Sequence, residues 1–190
     1  MLDNLADRGV AALMRQVLDE IIAAEGPVHV DRLAKIAATR FGMAKLREIR
    51  RTQIQKLVPT GVLRDSGVGQ FAWPLQIDPE TWRSYRPTRP ASIKDRPIEF
   101  IAPEEIRNVV FDIVGQAYQV EVAELIRLTR TVFGFSRSGA NVQAYVGSVI
   151  DQMVENGSLR WDNEHIMLGS EAGPTAVGPS QLSAILEAQA

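Results

Sequence analysis

Six side chains between positions 45 and 56 have the types and spacing to meet a polyanion: Lys45, Arg47, Arg50, Arg51, Gln55 and Lys56. From Ala44 to Leu57 they stand against one acid, Glu48. On a helical wheel Lys45, Arg47, Arg51, Gln55 and Lys56 share one broad arc, opposite Leu46, Ile49 and Leu57. Arginine and glutamine on such an arc can make paired hydrogen bonds to guanine and adenine edges, and lysine can neutralise phosphate. Arg50 lies off the arc, nearer the apolar side, where pairing with an acid is the alternative. The competing reading of the whole run is a solvated helix face; its place in the motif described below is what favours nucleic acid.

Little else in the chain is equipped for chemistry. There is no cysteine, which excludes a disulfide scaffold and any thiol-based nucleophile, redox pair or metal site. The two histidines, His29 and His165, fall at unrelated places and read as polar loop residues. No G-x-x-x-x-G-K-[ST] loop is present to cradle a phosphate. Gly134 to Gly139 resembles a nucleophile elbow superficially, but its glycine spacing is wrong and it follows a helix. The carboxylates are dispersed on helix faces. The expectation is a non-catalytic protein with no cofactor, metal or small-molecule substrate.

The elements that must position the basic run are legible through a repeat. Residues 28–43 align without gaps on residues 120–135, with six of 16 positions identical. The same 92-residue offset pairs Met14, Val17, Leu18, Ile21 and Ile22 with Ile106, Val109, Val110, Ile113 and Val114. After a four-residue insertion, Ile54, Val58, Gly61, Leu63 and Arg64 pair with Ile150, Val154, Gly157, Leu159 and Arg160. The chain is read as an internal duplication.

Each copy predicts three helices and a hairpin. Val10, Leu13, Met14, Val17, Leu18, Ile21 and Ile22 recur at helical spacing, and the counterpart opens at Pro103 with Glu104 and Glu105 behind it. A second helix starts near Asp31, a candidate N-cap, and stops at Gly42; Gly134 stops its counterpart. Third helices are expected over 44–58 and 139–155. Strands at 62–64 and 70–73, then at 159–161 and 165–168, flank short polar turns, with Phe71 and Trp73 read as core. Helix, helix, glycine turn, helix, hairpin is the order of a winged helix-turn-helix, in which the third helix enters the major groove. The fold expected is mainly α with small β-hairpins (α+β), a tandem winged helix: 8–75, a proline-rich linker 76–101, 102–168, and a flexible tail 169–190 with a weak helical turn or two over 181–190.

The copies differ in charge. Residues 1–75 carry 11 Lys/Arg against 8 Asp/Glu (+3), 76–100 carry 5 against 4 (+1), and 101–190 carry 5 against 11 (−6), summing to −2. In the second copy the third helix shows a wide apolar stripe (Val142, Tyr145, Val146, Val149, Ile150, Met153, Val154) and no cation, so packing or protein contact is its expected role. In the linker, Trp82, Tyr85, Arg83, Arg86 and Arg89 could stack and hold a single strand; anchoring of the aromatics on a domain with the arginines in solvent is favoured. No apolar run reaches the ~20 residues of a membrane span, and the first seven residues lack the order of a signal peptide, so a cytoplasmic setting without membrane partners is expected.

Several runs together resemble a known family: Glu25 to His29 leading into Phe41 and Gly42; Phe71 to Pro74; Asp95 to Pro97; Ile101 to Ile106; and Phe133 to Arg137. Over about residues 15–168 the chain looks like domain-of-unknown-function family 3320, which caps the C-termini of large bacterial superfamily-one helicases, often with a restriction-type nuclease domain. The resemblance implies an accessory module of a DNA-handling machine in repair or phage defence, with duplex or junction DNA and a helicase or nuclease as partners. It supplies no catalytic residues. These 190 residues hold no motor, so two settings stay open: a C-terminal piece of such a protein, or a free-standing relative. The alternative, from another class, is a tandem winged-helix scaffold that docks on a partner subunit without binding DNA.

Overall fold

The computed structural model describes residues 7–89, 92–137, 139–172 and 179–189, and the chain divides into two compact units, Met1–Asp78 and Pro79–Ala190. The described residues form seven α-helices and two small antiparallel three-stranded sheets, a mixed α+β architecture.

In the first unit α1 (Arg8–Glu25) opens on Asp7, whose Oδ1 accepts hydrogen bonds from the N–H groups of Gly9 (2.9 Å) and Val10 (3.1 Å). There follow β1 (Val28–His29), α2 (Val30–Arg40), α3 (Glu48–Gln55), β2 (Leu63–Asp65) and β3 (Gln70–Ala72), with β3 central in the order β1-β3-β2. Met14, Leu18, Ile21 and Ile22 of α1 share a core with Leu33, Ala34, Ala37 and Ala38 of α2 and with Ile54 of α3. The alanines let the helices approach closely. Phe71 and Trp73 are buried, as their alternation implies.

The second unit repeats the order: α4 (Pro103–Ala117), β4 (Gln119–Glu121), α5 (Val122–Val132), α6 (Ala140–Glu155), β5 (Leu159–Asp162) and β6 (His165–Leu168), again with the last strand central, β4-β6-β5. α2 and α5 keep the 92-residue offset at both ends, and both stop by the same device. Phe41 and Phe133 cap them, and Gly42 and Gly134 follow, each at φ 79°, a conformation that a β-carbon would strain.

Two stretches depart from expectation. The described residues of 79–101, expected to lie within a linker, belong to the second unit, where Tyr85, Ile98 and Ile101 join the buried core. Burying each isoleucine contributes roughly 1.5–3 kcal/mol, enough to hold an irregular segment down. Polar contacts fasten it further. Asn108 Nδ2 donates to the carbonyls of Trp82 (3.1 Å) and Ser84 (2.8 Å), and the Tyr145 hydroxyl donates to that of Ile101 (2.9 Å). Glu105, fully buried, accepts from the Arg86 backbone N–H (2.9 Å), lies 3.2 Å from Arg86 Nη2, and pairs with Arg96, itself buried. Arg86 therefore does not stay wholly in solvent as expected. Arg96 also donates to the Arg86 carbonyl (2.7 Å) and to Thr88 Oγ1 (3.0 Å).

The tail 169–190 holds more structure than the helical turn or two expected over 181–190. Pro179–Gln189 is a helix, α7, with Leu182 buried and Ile185 and Leu186 packed on the second unit's core. Residues 173–178, expected as part of that tail, lie outside the described residues. No helix among the described residues is long and apolar enough to cross a membrane.

Candidate nucleic-acid interface

The expected third helix, 44–58, is shorter in the structure. α3 begins at Glu48, with Arg47 extended as its N-cap (φ −78°, ψ 152°), and ends at Gln55. Ala44, Lys45, Leu46 and Arg47 all favour helix locally. Packing overrides them, because an extended chain after Gly42 brings both Met43 and Leu46 against the core. Counting 92 residues on from Arg47 reaches Gly139, the N-cap of α6. The repeat thus marks the true start.

This start changes the surface. Lys45 lies off the helix and Arg47 at its mouth, so the single arc expected of these residues is not one helical face. Ile49, expected on the apolar side, is 77% exposed. Ile54 is the buried residue of α3, with Leu46 and Leu57 half-buried beside it as expected. Arg50 is also half-buried, in keeping with its position off the arc.

The six candidate residues do not act as one set. Lys45, Arg47 and Lys56 are exposed and make no ion pair among the described residues. Arg51 and Gln55 are half-buried and converge on Asp31 in the first turn of α2. Gln55 Nε2 donates to Asp31 Oδ1 at 2.7 Å, and Arg51 Nε lies 3.4 Å from the same oxygen. The Arg51 Nη2 group pairs with Glu48 one turn back on α3. Counting Asp31 and Glu48 against Lys45, Arg47, Arg50, Arg51 and Lys56 leaves the patch at +3 (five cations minus two acids).

Asp31 is the residue that sequence reasoning misses. Its expected role is the N-cap of α2, but α2 begins one residue earlier, at Val30. His29 is the cap: its Nδ1 accepts from the Asp31 N–H at 3.2 Å. His29 is buried, not a surface loop residue, and its ring sits edge-on to Phe71 with centroids 5.2 Å apart. Comparison of the two copies could have drawn attention to Asp31, because its counterpart 92 residues on is Ala123.

The corresponding surface of the second unit differs. α6 is twice as long as α3, 16 residues against 8, and contains no lysine or arginine. Its exposed side chains include Asn141, Gln143, Ser148, Asp151, Gln152 and Glu155. Val142, Val146, Val149, Ile150 and Met153 are buried, as the apolar stripe implies. Arg137, just ahead of α6, is exposed; Arg127 is paired with Glu124 at 2.6 Å. On the hairpin that follows α6, Trp161 of β5 is 52% exposed.

A protein-family model described as "Protein of unknown function (DUF3320)" matches residues 3–46. That stretch takes in α1, β1 and α2 and stops just short of α3. It supports the resemblance drawn from Glu25 to Gly42. No curated protein and no solved structure matches the chain.

Proposed function

We propose that the chain is a non-catalytic module of two winged-helix units, the first of which binds duplex DNA through the segment from Lys45 to Lys56. The repeated order of helix, strand, helix, helix and hairpin, with the last strand central in each sheet, supports the winged-helix reading. One observation carries the DNA reading. Lys45, Arg47 and Lys56 are exposed, without acidic partners among the described residues, at the two ends of the element that faces the groove in this motif. Unpaired surface cations release counterions when they meet phosphate, and that gain is the main sequence-independent source of affinity. The family resemblance supports work beside a helicase or nuclease, which would supply the catalysis.

Titration of labelled duplex with the full chain between about 50 and 200 mM salt tests this. Salt-sensitive binding is expected. Lys45→Ala/Arg47→Ala/Lys56→Ala should weaken it and flatten the log–log slope by about 0.9 for each phosphate no longer neutralised. Equal affinity of this variant and the parent, or no salt-sensitive binding, sinks the proposal.

A second reading, a scaffold that docks on a partner subunit, is supported for the second unit by the cation-free α6 and the exposed Trp161. A stable dimer or a co-purifying helicase, without salt-sensitive DNA binding, would favour the scaffold.

A further inference from the structure

The geometry points to Asp31 as a positioning residue that makes the first unit prefer particular base sequences, by holding Arg51 and Gln55 as an oriented pair. The inference rests on the duplex reading above and adds a preference for sequence to it. Arg51 and Gln55 stand four residues apart on α3 and so share a face one turn from each other. One oxygen, Asp31 Oδ1, serves both: it accepts from Gln55 Nε2 at 2.7 Å and lies 3.4 Å from Arg51 Nε. Glu48 takes the Arg51 Nη2. The guanidinium keeps its Nη1 donors, and the Gln55 amide keeps Oε1 and one N–H.

These acids make Arg51 a poor phosphate ligand, because two carboxylates offset its charge. What they supply is orientation. Paired hydrogen bonds from arginine to guanine, or from glutamine to adenine, need the planar end group held at a set angle, and a free long side chain must lose rotamer freedom to achieve it. The Arg51 side chain remains 35% exposed and Gln55 is half-buried, so the held pair is still accessible. The candidate surface thus separates two tasks. Lys45, Arg47 and Lys56 are free of acids among the described residues and suited to phosphate; Arg51 and Gln55 are braced and suited to base edges.

The duplication supports the coupling of acid and cations. Where α6 lacks basic residues, the position equivalent to Asp31 is Ala123.

The test is selection of duplexes from a randomised pool with the full chain, then titration of the selected and a scrambled duplex at fixed salt. The parent should favour the selected duplex by roughly tenfold or more. Asp31→Ala, which copies the second unit, and Gln55→Ala should bring that ratio towards one without weakening the scrambled duplex. Lys45→Ala/Lys56→Ala should weaken both duplexes alike. Circular dichroism checks that each variant is folded, and Gln55→Ala, on the surface of α3, keeps the test open if Asp31→Ala is not. Binding without preference, or a preference that survives either substitution in a folded variant, overturns the inference and leaves the duplex reading standing. Absence of binding to any duplex overturns both.

Discussion

α3 opens at Glu48 and α6 at Ala140, 92 residues later, each after a stretch that follows the same left-handed glycine. Below the surface the two helices share one position. Ile54 and Ile150 are buried equivalents, although a four-residue insertion separates their numbering, because four residues add about one helical turn and leave the side chain on the same face. Above the surface they share little: α3 is flanked by cations and braced by Asp31, whereas α6 carries amides, a serine and acids. The difference teaches where a fold constrains its sequence. A buried position answers to packing, and removing its methylenes leaves a cavity. Exposed positions usually change stability by no more than ~0.5 kcal/mol, so their charge is free to follow function.

The largest expected effect would sharpen the contrast in how the units are fastened. Glu105→Gln should destabilise the second unit by about 3–5 kcal/mol, since it removes the buried carboxylate that pairs with Arg96 and Arg86. Chemical denaturation followed by tryptophan and tyrosine signals should show the second unit's transition shifted and the first unit's unchanged. The pH dependence has a defined sign. Burial alone would raise the Glu105 pKa, but the Arg96 and Arg86 guanidiniums hold its carboxyl below the usual value. A depressed folded pKa means that the carboxylate's contribution is present above the unfolded value of about 4.3 and is lost as pH falls through the folded value. The parent's second unit should therefore weaken over that acid range, and the Glu105→Gln variant should be flatter there.

Ile54→Ala and Ile150→Ala test the likeness beneath. Each should cost about 2–5 kcal/mol in its own unit, and the two values should lie close together. A large loss in one and almost none in the other would break the structural equivalence of α3 and α6. The smallest effect concerns a buried polar atom. Thr129 Oγ1 on α5 is buried without a hydrogen-bond partner among the described residues, and its counterpart on α2 is Ala37, also buried. Thr129→Val keeps the shape and removes the orphan hydroxyl, so it should be neutral or stabilise by about 1 kcal/mol in a thermal melt. Destabilisation would mean that the second core uses a polar contact the first does without.

Much of the frame was legible because its signals are local. Gly42 and Gly134 end helices through backbone sterics, Pro103 starts one by its fixed φ, and the buried faces of α1, α2 and α6 follow from helical periodicity. The start of α3 was not local. Helix-forming residues from Ala44 to Arg47 stay out of the helix so that Met43 and Leu46 can reach the core. The packing of Tyr85, Ile98 and Ile101 was hidden for a similar reason. Proline density marks an extended chain but does not say what that chain lies against, and Glu105 looked like an ordinary acid in a helix's first turn. In the basic patch, the residue types were readable and their partners were not.

The order of residues therefore determined that one pattern recurs 92 residues on and that only the leading copy carries a run of cations, from Lys45 to Lys56. Periodicity, helix-ending glycines and a 92-residue repeat are properties of neighbours along the chain and need no coordinates. Tertiary structure alone decided that Asp31 meets Arg51 and Gln55, and that Glu105 is buried between Arg86 and Arg96. Those pairings join residues 9 to 24 positions apart. Folding sets such distances through the packing of apolar side chains elsewhere, so charge partners follow from the core and cannot be read from the charges themselves.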